Sequence, residues 1–218
     1  MHEVSRQLVS FYGFSWYNTY RKRLVIRMKK IWLIRHGESI ANAGEPTQDH
    51  AAIPLSEKGL QQAQELALAI PSAPDLIVTS PFLRAQQTAM PTIGRFPQAH
   101  TGIWDCIHEF VYLAPATCVG TTFAQRRPRV IAYWRKLDPD YVDGEGAESY
   151  RQLMERIQTT ISLLQRRPEQ FILLFTHAQF IRNFLLAYEH PQWTAEQCMA
   201  SFRRSDPVRN GQIIEIFM

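Results

Sequence analysis

The sequence Ile31-Trp32-Leu33-Ile34-Arg35-His36-Gly37-Glu38-Ser39 decides the fold. Its first four residues are an apolar run rich in β-forming side chains, and a polar segment containing Gly37 follows at once. This pattern predicts a buried strand that ends in a loop. Arg35 and His36 are therefore expected at the carboxyl end of that strand.

Outward from this stretch, predicted strands and helices alternate along the chain. Further strands are predicted over 76–78, 100–104, 171–175 and 212–217. Helices are predicted over 56–70, from 81 onward, over 130–137 after a loop containing Pro115, Gly120 and Pro128, up to about 167, and over 178–188. Such alternation predicts an α/β fold of three layers, α/β/α, around a mainly parallel central sheet.

Three residues that could bind an anion follow predicted strands: His36, Arg84 and His177. In open α/β folds the ligand site lies beyond the carboxyl ends of the strands, so the three side chains are expected to meet in one pocket. Singly, each is also compatible with a structural role. Arg84 is predicted in the first turn of a helix, where the helix dipole disfavours a cation. It therefore needs an anionic partner, either a ligand or a structural carboxylate.

The composition is that of a globular protein of 218 residues, with 45% hydrophobic and 20% charged residues. This length suits one compact domain, or one domain with a terminal arm. No apolar run approaches the roughly 18 residues of a membrane-spanning helix. Cys106, Cys118 and Cys198 show no pairing or CxxC pattern, so neither a disulfide framework nor a zinc site is expected, and a cytoplasmic location is predicted.

Positive charge is concentrated at the amino terminus. Residues 1–30 carry seven Lys or Arg against one acid, whereas the other 188 residues carry 17 basic and 19 acidic side chains, a net charge of −2. The body of the protein is thus not a polycation, and no nucleic-acid partner is expected. Residues 1–28 are interpreted as a basic, aromatic extension, either a real arm or a segment preceding a natural start at Met28, and 29–218 as the catalytic domain.

Four segments resemble the histidine phosphatase superfamily, which includes phosphoglycerate mutases and many phosphatases. Arg35-His36-Gly37-Glu38-Ser39, with Asn42 six residues after the histidine, resembles its RHG signature. Leu55-Ser56-Glu57-Lys58-Gly59-Leu60-Gln61-Gln62-Ala63 is similar to its LTxxGxxQA helix start. Ser80-Pro81-Phe82-Leu83-Arg84-Ala85-Gln86-Gln87-Thr88-Ala89 resembles the segment with its second arginine, and Thr176-His177 the strand end with its second histidine. The order and spacing agree over about residues 29–218.

The resemblance implies a phosphoglycerate mutase-like fold and phosphoryl transfer through a phosphohistidine on His36. Arg35, Arg84 and His177 would grip the phosphate, and Asn42 would donate one more hydrogen bond. Guanidinium groups match phosphate oxygens bidentately, and this chemistry depends mainly on positioning and charge stabilisation. Because arginines lie nearby, His36 is expected to be neutral in the empty site. No metal ion and no cofactor are expected.

The leaving alcohol needs a proton, which in the family usually comes from a carboxylic acid after the third strand. Glu109 is our prediction for this role, and Asp105 is the alternative. The segment 107–113 (IHEFVYL) lacks both the Glu-Arg-x-Tyr-Gly of the mutases and the Gly-x-Trp-Glu-Gly of many phosphatases. An ordinary glutamate is largely ionised at pH 7, so the role requires surroundings that favour its protonated form.

The leading hypothesis is a metal-independent phosphomonoester phosphatase that acts on a small-molecule phosphate ester or a phosphoprotein. A phosphoglycerate mutase-type phosphoryl transfer and a non-catalytic phosphate-binding module are the alternatives. Substrate selectivity is expected to come from residues 105–147, and the oligomeric state is not predicted. Glu38 is expected to have a structural role, and Glu148 and Ser149 are expected to cap the following helix.

Overall fold

A computed structural model describes residues 28–218, so the predicted extension over residues 1–28 lies almost wholly outside the described part. Within the described residues, five strands form one sheet in the order β3-β2-β4-β1-β5. Only β5, which pairs antiparallel with β1, departs from the parallel arrangement. The strands are β1 (Lys30–Arg35), β2 (Leu76–Thr79), β3 (His100–Ile103), β4 (Phe171–Thr176) and β5 (Ile213–Phe217).

Helices cover both faces of this sheet. In the described chain they are α1 (Glu57–Ala69), α2 (Leu83–Arg95), α3 (Phe123–Lys136), α4 (Tyr150–Arg166), α5 (Ala178–Glu189) and α6 (Ala195–Phe202). Residues of α1 and α2 pack with Ile34 and Phe175 on one face, whereas α4, α5 and α6 pack with Leu33 and Leu174 on the other. The predicted three-layer α/β/α fold with a mainly parallel sheet is confirmed.

The central strands follow the hydrophobic pattern that predicted them. All six residues of β4 are buried, because helices cover both of its faces. In β1, Ile31 and Leu33 point to one layer and Ile34 to the other, as the alternation of side chains along a strand requires.

Two helices differ from the sequence prediction. The helix predicted over 130–137 begins at Phe123, because Thr122 and Gln125 form a capping box and Pro128 lies inside the helix instead of before it. The helix α6 was not predicted, although Thr194 and Gln197 form the same kind of capping box. Within residues 28–218, no helix is long and apolar enough to cross a membrane.

Candidate active site

The carboxyl ends of β1, β2 and β4 bring the candidate residues together. Arg35 lies opposite Thr176 in the parallel register, and the backbone N–H of His36 donates to the Thr176 carbonyl at 3.0 Å. The next residues along both strands are His36 and His177, whose ring centroids are 5.2 Å apart. The backbone N–H of Ser80, after β2, donates to Phe175. The predicted convergence at one sheet edge follows directly from strand register.

His36 is buried, with 4% of its surface exposed, and both ring nitrogens have partners. Nε2 lies 3.1 Å from Nε of Arg84, a group that only donates, so Nε2 is the acceptor nitrogen. Nδ1 therefore carries the proton, which it donates to the Gly37 carbonyl at 2.6 Å. Burial, and then the charges of Arg84 and Arg35, hold the pKa of His36 well below its usual value. The imidazole is neutral, with its lone pair on Nε2.

Arg84 lies in the first turn of α2, as predicted, and is almost fully buried. Its Nη1 donates to the His50 carbonyl at 2.7 Å. Burial lowers its pKa to about 10, while the charge of Glu109 acts in the opposite direction. Within the described chain no salt bridge involves Arg84. The anionic partner that this buried cation requires is thus left for a ligand.

Arg35 and His177 each have a buried nitrogen without a partner. Arg35 donates through Nη1 to Val208, at 2.7 Å, but its Nε is unpaired. His177 Nε2 lies 2.8 Å from the Ser80 hydroxyl, while its Nδ1 is unpaired. Burial, followed by the charge of Arg84, keeps the pKa of His177 well below its usual value. Unpaired buried polar groups are costly, and Arg35 lines the cavity, where a phosphate oxygen would satisfy its Nε–H. His177, which was also predicted to grip the phosphate, is fully buried and does not line the cavity.

The loop after His36 is held by residues that sequence reasoning did not find. The side-chain amide of Asn210 donates to the carbonyls of His36 (3.1 Å) and Gly37 (3.2 Å) and to the side-chain oxygen of Asn42 (3.0 Å). On the opposite side, Thr88 accepts from the Gly37 N–H at 3.0 Å. Asn210 lies in an irregular segment, where no periodicity marks it. Asn42 is exposed at the cavity, so its amide N–H groups remain accessible.

Gly37 and Gly59 are required by the close approach of this loop to α1. A Cβ on Gly37 would lie 2.6 Å from the Gly59 carbonyl oxygen, and a Cβ on Gly59 only 1.9 Å from the Glu38 carbonyl oxygen. Glu38 binds the Ser56 hydroxyl at 3.0 Å and Lys58 at 2.8 Å, which confirms its structural role. Gly37 and Gly59, one from each motif, are thus both required by the same contact between this loop and α1.

Glu109 lies between the cavity and the amino terminus of α5. Its carboxylate accepts backbone N–H groups from Phe110 (2.9 Å), Phe180 (3.1 Å) and Gln179 (3.3 Å). Asp105, the alternative acid, lines a neighbouring cavity of about 520 Å³ together with His108, and not the cavity of His36. Of the two carboxyl groups, only Glu109 lines the cavity that also contains His36 and Arg84.

The loop that carries Glu109 is fixed by a buried ion pair. Glu148 accepts from Arg156 at 2.6 Å and from the Val111 N–H at 3.2 Å, and Arg156 donates to the carbonyls of Cys106 and His108, both at 2.9 Å. Glu148 is therefore a loop anchor and not a helix cap. Ser149 does cap α4, in a capping box with Gln152.

A cavity of about 470 Å³ opens over this edge of the sheet. Arg35, His36, Asn42, Arg84 and Glu109 all line it, while His177 lies beneath His36, fully buried. In residues 28–218, no group of three or more His, Cys, Asp or Glu side chains is arranged to hold a metal ion. One buried arginine, one partly buried arginine, a neutral histidine and one carboxylate thus line the same cavity.

Comparison with known proteins identifies the family that the sequence motifs resemble. The family model of the "Histidine phosphatase superfamily (branch 1)" matches residues 31–201. Adenosylcobalamin/alpha-ribazole phosphatase of Escherichia coli is 28% identical over 72% of this chain and 77% of its own length. Fructose-2,6-bisphosphatase of Saccharomyces cerevisiae is 31% identical over 71% of this chain, a region that spans 33% of the yeast protein.

Solved structures share the fold. The alpha-ribazole phosphatase of Shigella flexneri has a TM-score of 0.67 at 24% identity and covers 85% of this chain and 89% of its own. A mycobacterial glucosyl-3-phosphoglycerate phosphatase has the same TM-score at 22% identity, over 86% and 90% of the two chains. The chain belongs to the histidine phosphatase superfamily, branch 1. It is an α/β enzyme of the phosphoric monoester hydrolase class, as the resemblance predicted.

Proposed function

We propose that the protein is a phosphomonoester phosphatase that works through a phosphohistidine on His36. The observation that carries this proposal is the tautomer of His36, because its Nδ1 is bound to Gly37 and its lone pair on Nε2 faces Arg84. This is the state required of a nitrogen nucleophile. We assign this activity to a catalytic domain over 29–218, and a cytoplasmic location remains a prediction.

The first chemical step transfers the phosphoryl group to His36. A bound phosphate accepts hydrogen bonds from the N–H groups of Arg84 and Arg35. Arg84 then no longer donates to His36, and the lone pair on Nε2 of His36 becomes free. Nε2 then attacks phosphorus, the bond from phosphorus to the ester oxygen breaks, and the departing oxygen takes a proton from Glu109. The two guanidinium groups supply the positive charge that stabilises the equatorial oxygens, which makes a metal-independent reaction feasible.

The second step returns the enzyme to its starting state. Water attacks phosphorus and gives a proton to the Glu109 carboxylate, and the bond from phosphorus to Nε2 breaks. Inorganic phosphate leaves and His36 regains its free lone pair. In the empty site the Glu109 carboxylate binds three backbone N–H groups. These bonds hold the carboxylate in place, and the proton that it receives from the water restores the acid for the next first step.

Hydrolysis is preferred to the alternative mutase reaction. A mutase must retain its product while the product reorients, and the Glu-Arg-x-Tyr-Gly segment of the mutases is absent around Glu109. The non-catalytic alternative is disfavoured because simple phosphate binding does not require a neutral, oriented imidazole between two arginines.

The test combines turnover with identification of the intermediate. p-Nitrophenyl phosphate should be hydrolysed between about pH 5 and 8, and rapid quenching during turnover should place the phosphoryl group on His36 by mass spectrometry. His36→Ala should remove both signals. A phosphoryl group found on another residue would refute the mechanism. Failure to hydrolyse any ester in a panel of phosphate esters would favour the non-catalytic binding module. Interconversion of 3- and 2-phosphoglycerate faster than phosphate release would favour the mutase.

A further inference from the structure

One face of α3 forms a wall of the cavity that the phosphate chemistry does not use. Phe123, Arg126 and Val130 line the cavity, and their spacing of three and four residues places them on one side of the helix. Phe123 is 59% exposed. A large aromatic side chain held open to solvent at the rim of an active-site cavity is a feature of ligand-binding surfaces.

The remaining wall beyond the proposed phosphate-binding residues contains more apolar residues. Its apolar part is contributed by Ile53, Phe110, Tyr112 and Leu113, and its polar members include Thr47, His50 and Gln179. Phe110 and Tyr112 contact each other with ring centroids 5.3 Å apart. Burial raises the pKa of Tyr112 to about 12, so its hydroxyl is neutral at physiological pH. The part of the substrate that leaves after P–O cleavage therefore faces mainly hydrocarbon and aromatic surface.

Part of the Arg126 guanidinium is engaged within the protein. Its Nη1 donates to the Thr121 carbonyl at 2.5 Å and to the Thr121 hydroxyl at 2.9 Å, and its Nη2 lies 3.3 Å from the Thr47 hydroxyl. These bonds connect α3 to the loop at Thr47, which itself pairs with Thr121. Arg126 thus serves mainly to fix the wall in place.

The charges of the cavity match one phosphate. Its charged lining residues in the described chain are Arg35, Arg84, Arg126 and Glu109, which give a net charge of +2 with neutral histidines. Because Glu109 is protonated when the proposed first step begins, the cavity then carries a charge of +3, and a phosphomonoester dianion leaves one positive charge. A second phosphate dianion on the substrate would exceed that charge and place uncompensated negative charge against an apolar wall, which is unfavourable.

We infer that the substrate is the phosphomonoester of a largely apolar alcohol, long enough to reach from His36 to Phe123 and Val130. This inference rests on the proposed phosphatase function and specifies its substrate class. The apolar wall contributes to the binding free energy by burying hydrocarbon surface of the substrate. This contribution increases with the size of the apolar group.

The experiment compares esters of primary alkyl alcohols, so that leaving-group chemistry is similar. 3-Phenylpropyl phosphate should exceed glycerol 3-phosphate in kcat/KM by about tenfold or more, because several methylene-sized groups are buried, and it should also exceed 3-phosphoglycerate. Phe123→Ala should reduce the preference for the phenylpropyl ester. Ile131→Ala, a similar truncation at an exposed position of α3 outside the cavity, should leave that preference intact.

The outcomes separate this inference from the proposed function. If p-nitrophenyl phosphate is hydrolysed through phospho-His36 but glycerol 3-phosphate or 3-phosphoglycerate is preferred to the phenylpropyl ester, the substrate inference is wrong and the phosphatase stands. An unchanged preference in Phe123→Ala would also overturn it. If no ester is hydrolysed and no phosphohistidine forms, the proposed function fails, and the inference fails with it.

Discussion

Nε of Arg84 lies 3.1 Å from Nε2 of His36, although the two residues are 48 positions apart in the chain. This single hydrogen bond determines which nitrogen of His36 carries the proton. It also places a guanidinium group beside the position that a transferred phosphoryl group would occupy. In the proposed mechanism, the arginine would therefore prepare the nucleophile and bind the phosphate with the same side chain.

Arg84→Lys should lower kcat for p-nitrophenyl phosphate by about 10²-fold, since an ammonium group replaces one planar fork that serves both functions. The measurement is steady-state turnover, with thermal unfolding to check the fold. Arg95→Lys is the matched control on the same helix, where the arginine binds carbonyl groups at the end of α1. Activity of Arg84→Lys within twofold of the wild type would contradict the assigned role.

Glu109→Gln should slow phosphoryl transfer strongly for alkyl phosphates and only weakly for p-nitrophenyl phosphate, because p-nitrophenolate leaves without a proton. A difference of about 10² to 10⁴-fold between the two substrate classes is expected for a lost general acid. The measurement is kcat/KM over a series of esters with different leaving groups. Asp105→Asn, in the neighbouring cavity, is the control. Equal losses of kcat/KM for both ester classes in Glu109→Gln would favour Asp105 as the general acid.

Stability should decrease as the pH falls below about 6.5. The pKa values of His36 and His177 are lowered in the folded protein, so below that pH the unfolded chain binds more protons than the folded one. Above about pH 6.5 both histidines are neutral in the folded and unfolded states and do not reduce stability. Below that pH, the free energy of unfolding falls with a slope that approaches ~1.4 kcal/mol per pH unit for each histidine. Urea unfolding between about pH 7.5 and 5.5 measures the slope, which should be shallower in His36→Gln. An identical slope in that variant would disprove the linkage.

Gly59→Ala should destabilise the protein by ~1 to 3 kcal/mol and reduce activity, because the added methyl group clashes with the Glu38 carbonyl and displaces the loop of His36. Gly94→Ala in α2 is the matched control. Its Cβ would meet nothing within 4 Å, so stability should rise by up to ~1 kcal/mol. Denaturant unfolding and turnover of both variants give the comparison. A neutral effect of Gly59→Ala would contradict the close-approach argument.

The sequence was sufficient for the strands and for the residues that end them. The apolar runs of β1, β2 and β4 each stop at a polar residue, and parallel register then requires that His36 and His177 lie side by side. The sequence prediction starts α3 too late, because Pro128 suggests a loop, whereas the pair Thr122 and Gln125 marks the true start of the helix. Capping boxes of this kind are visible in a sequence.

Other parts of the site could not be predicted because they depend on contacts between distant, irregular segments. Asn210 is an ordinary polar residue in a turn, and only the folded chain places its amide beside His36 and Asn42. The same holds for the choice between Glu109 and Asp105. The two lie four positions apart, and a short helical turn at Asp105–Ile107 directs them toward different cavities.

The segment that includes Val208 and Asn210 has a consequence for synthesis on the ribosome. A nascent chain that has emerged from the ribosome as far as α5 already exposes His36, Arg84 and His177, yet the carbonyl group that holds Arg35 and the amide that holds the His36 loop are still inside the exit tunnel. We expect such a ribosome-bound intermediate to be unable to hydrolyse phosphate esters. Enzymatic competence would then arise only after the segment with Val208 and Asn210 has left the ribosome and can contact Arg35 and the His36 loop.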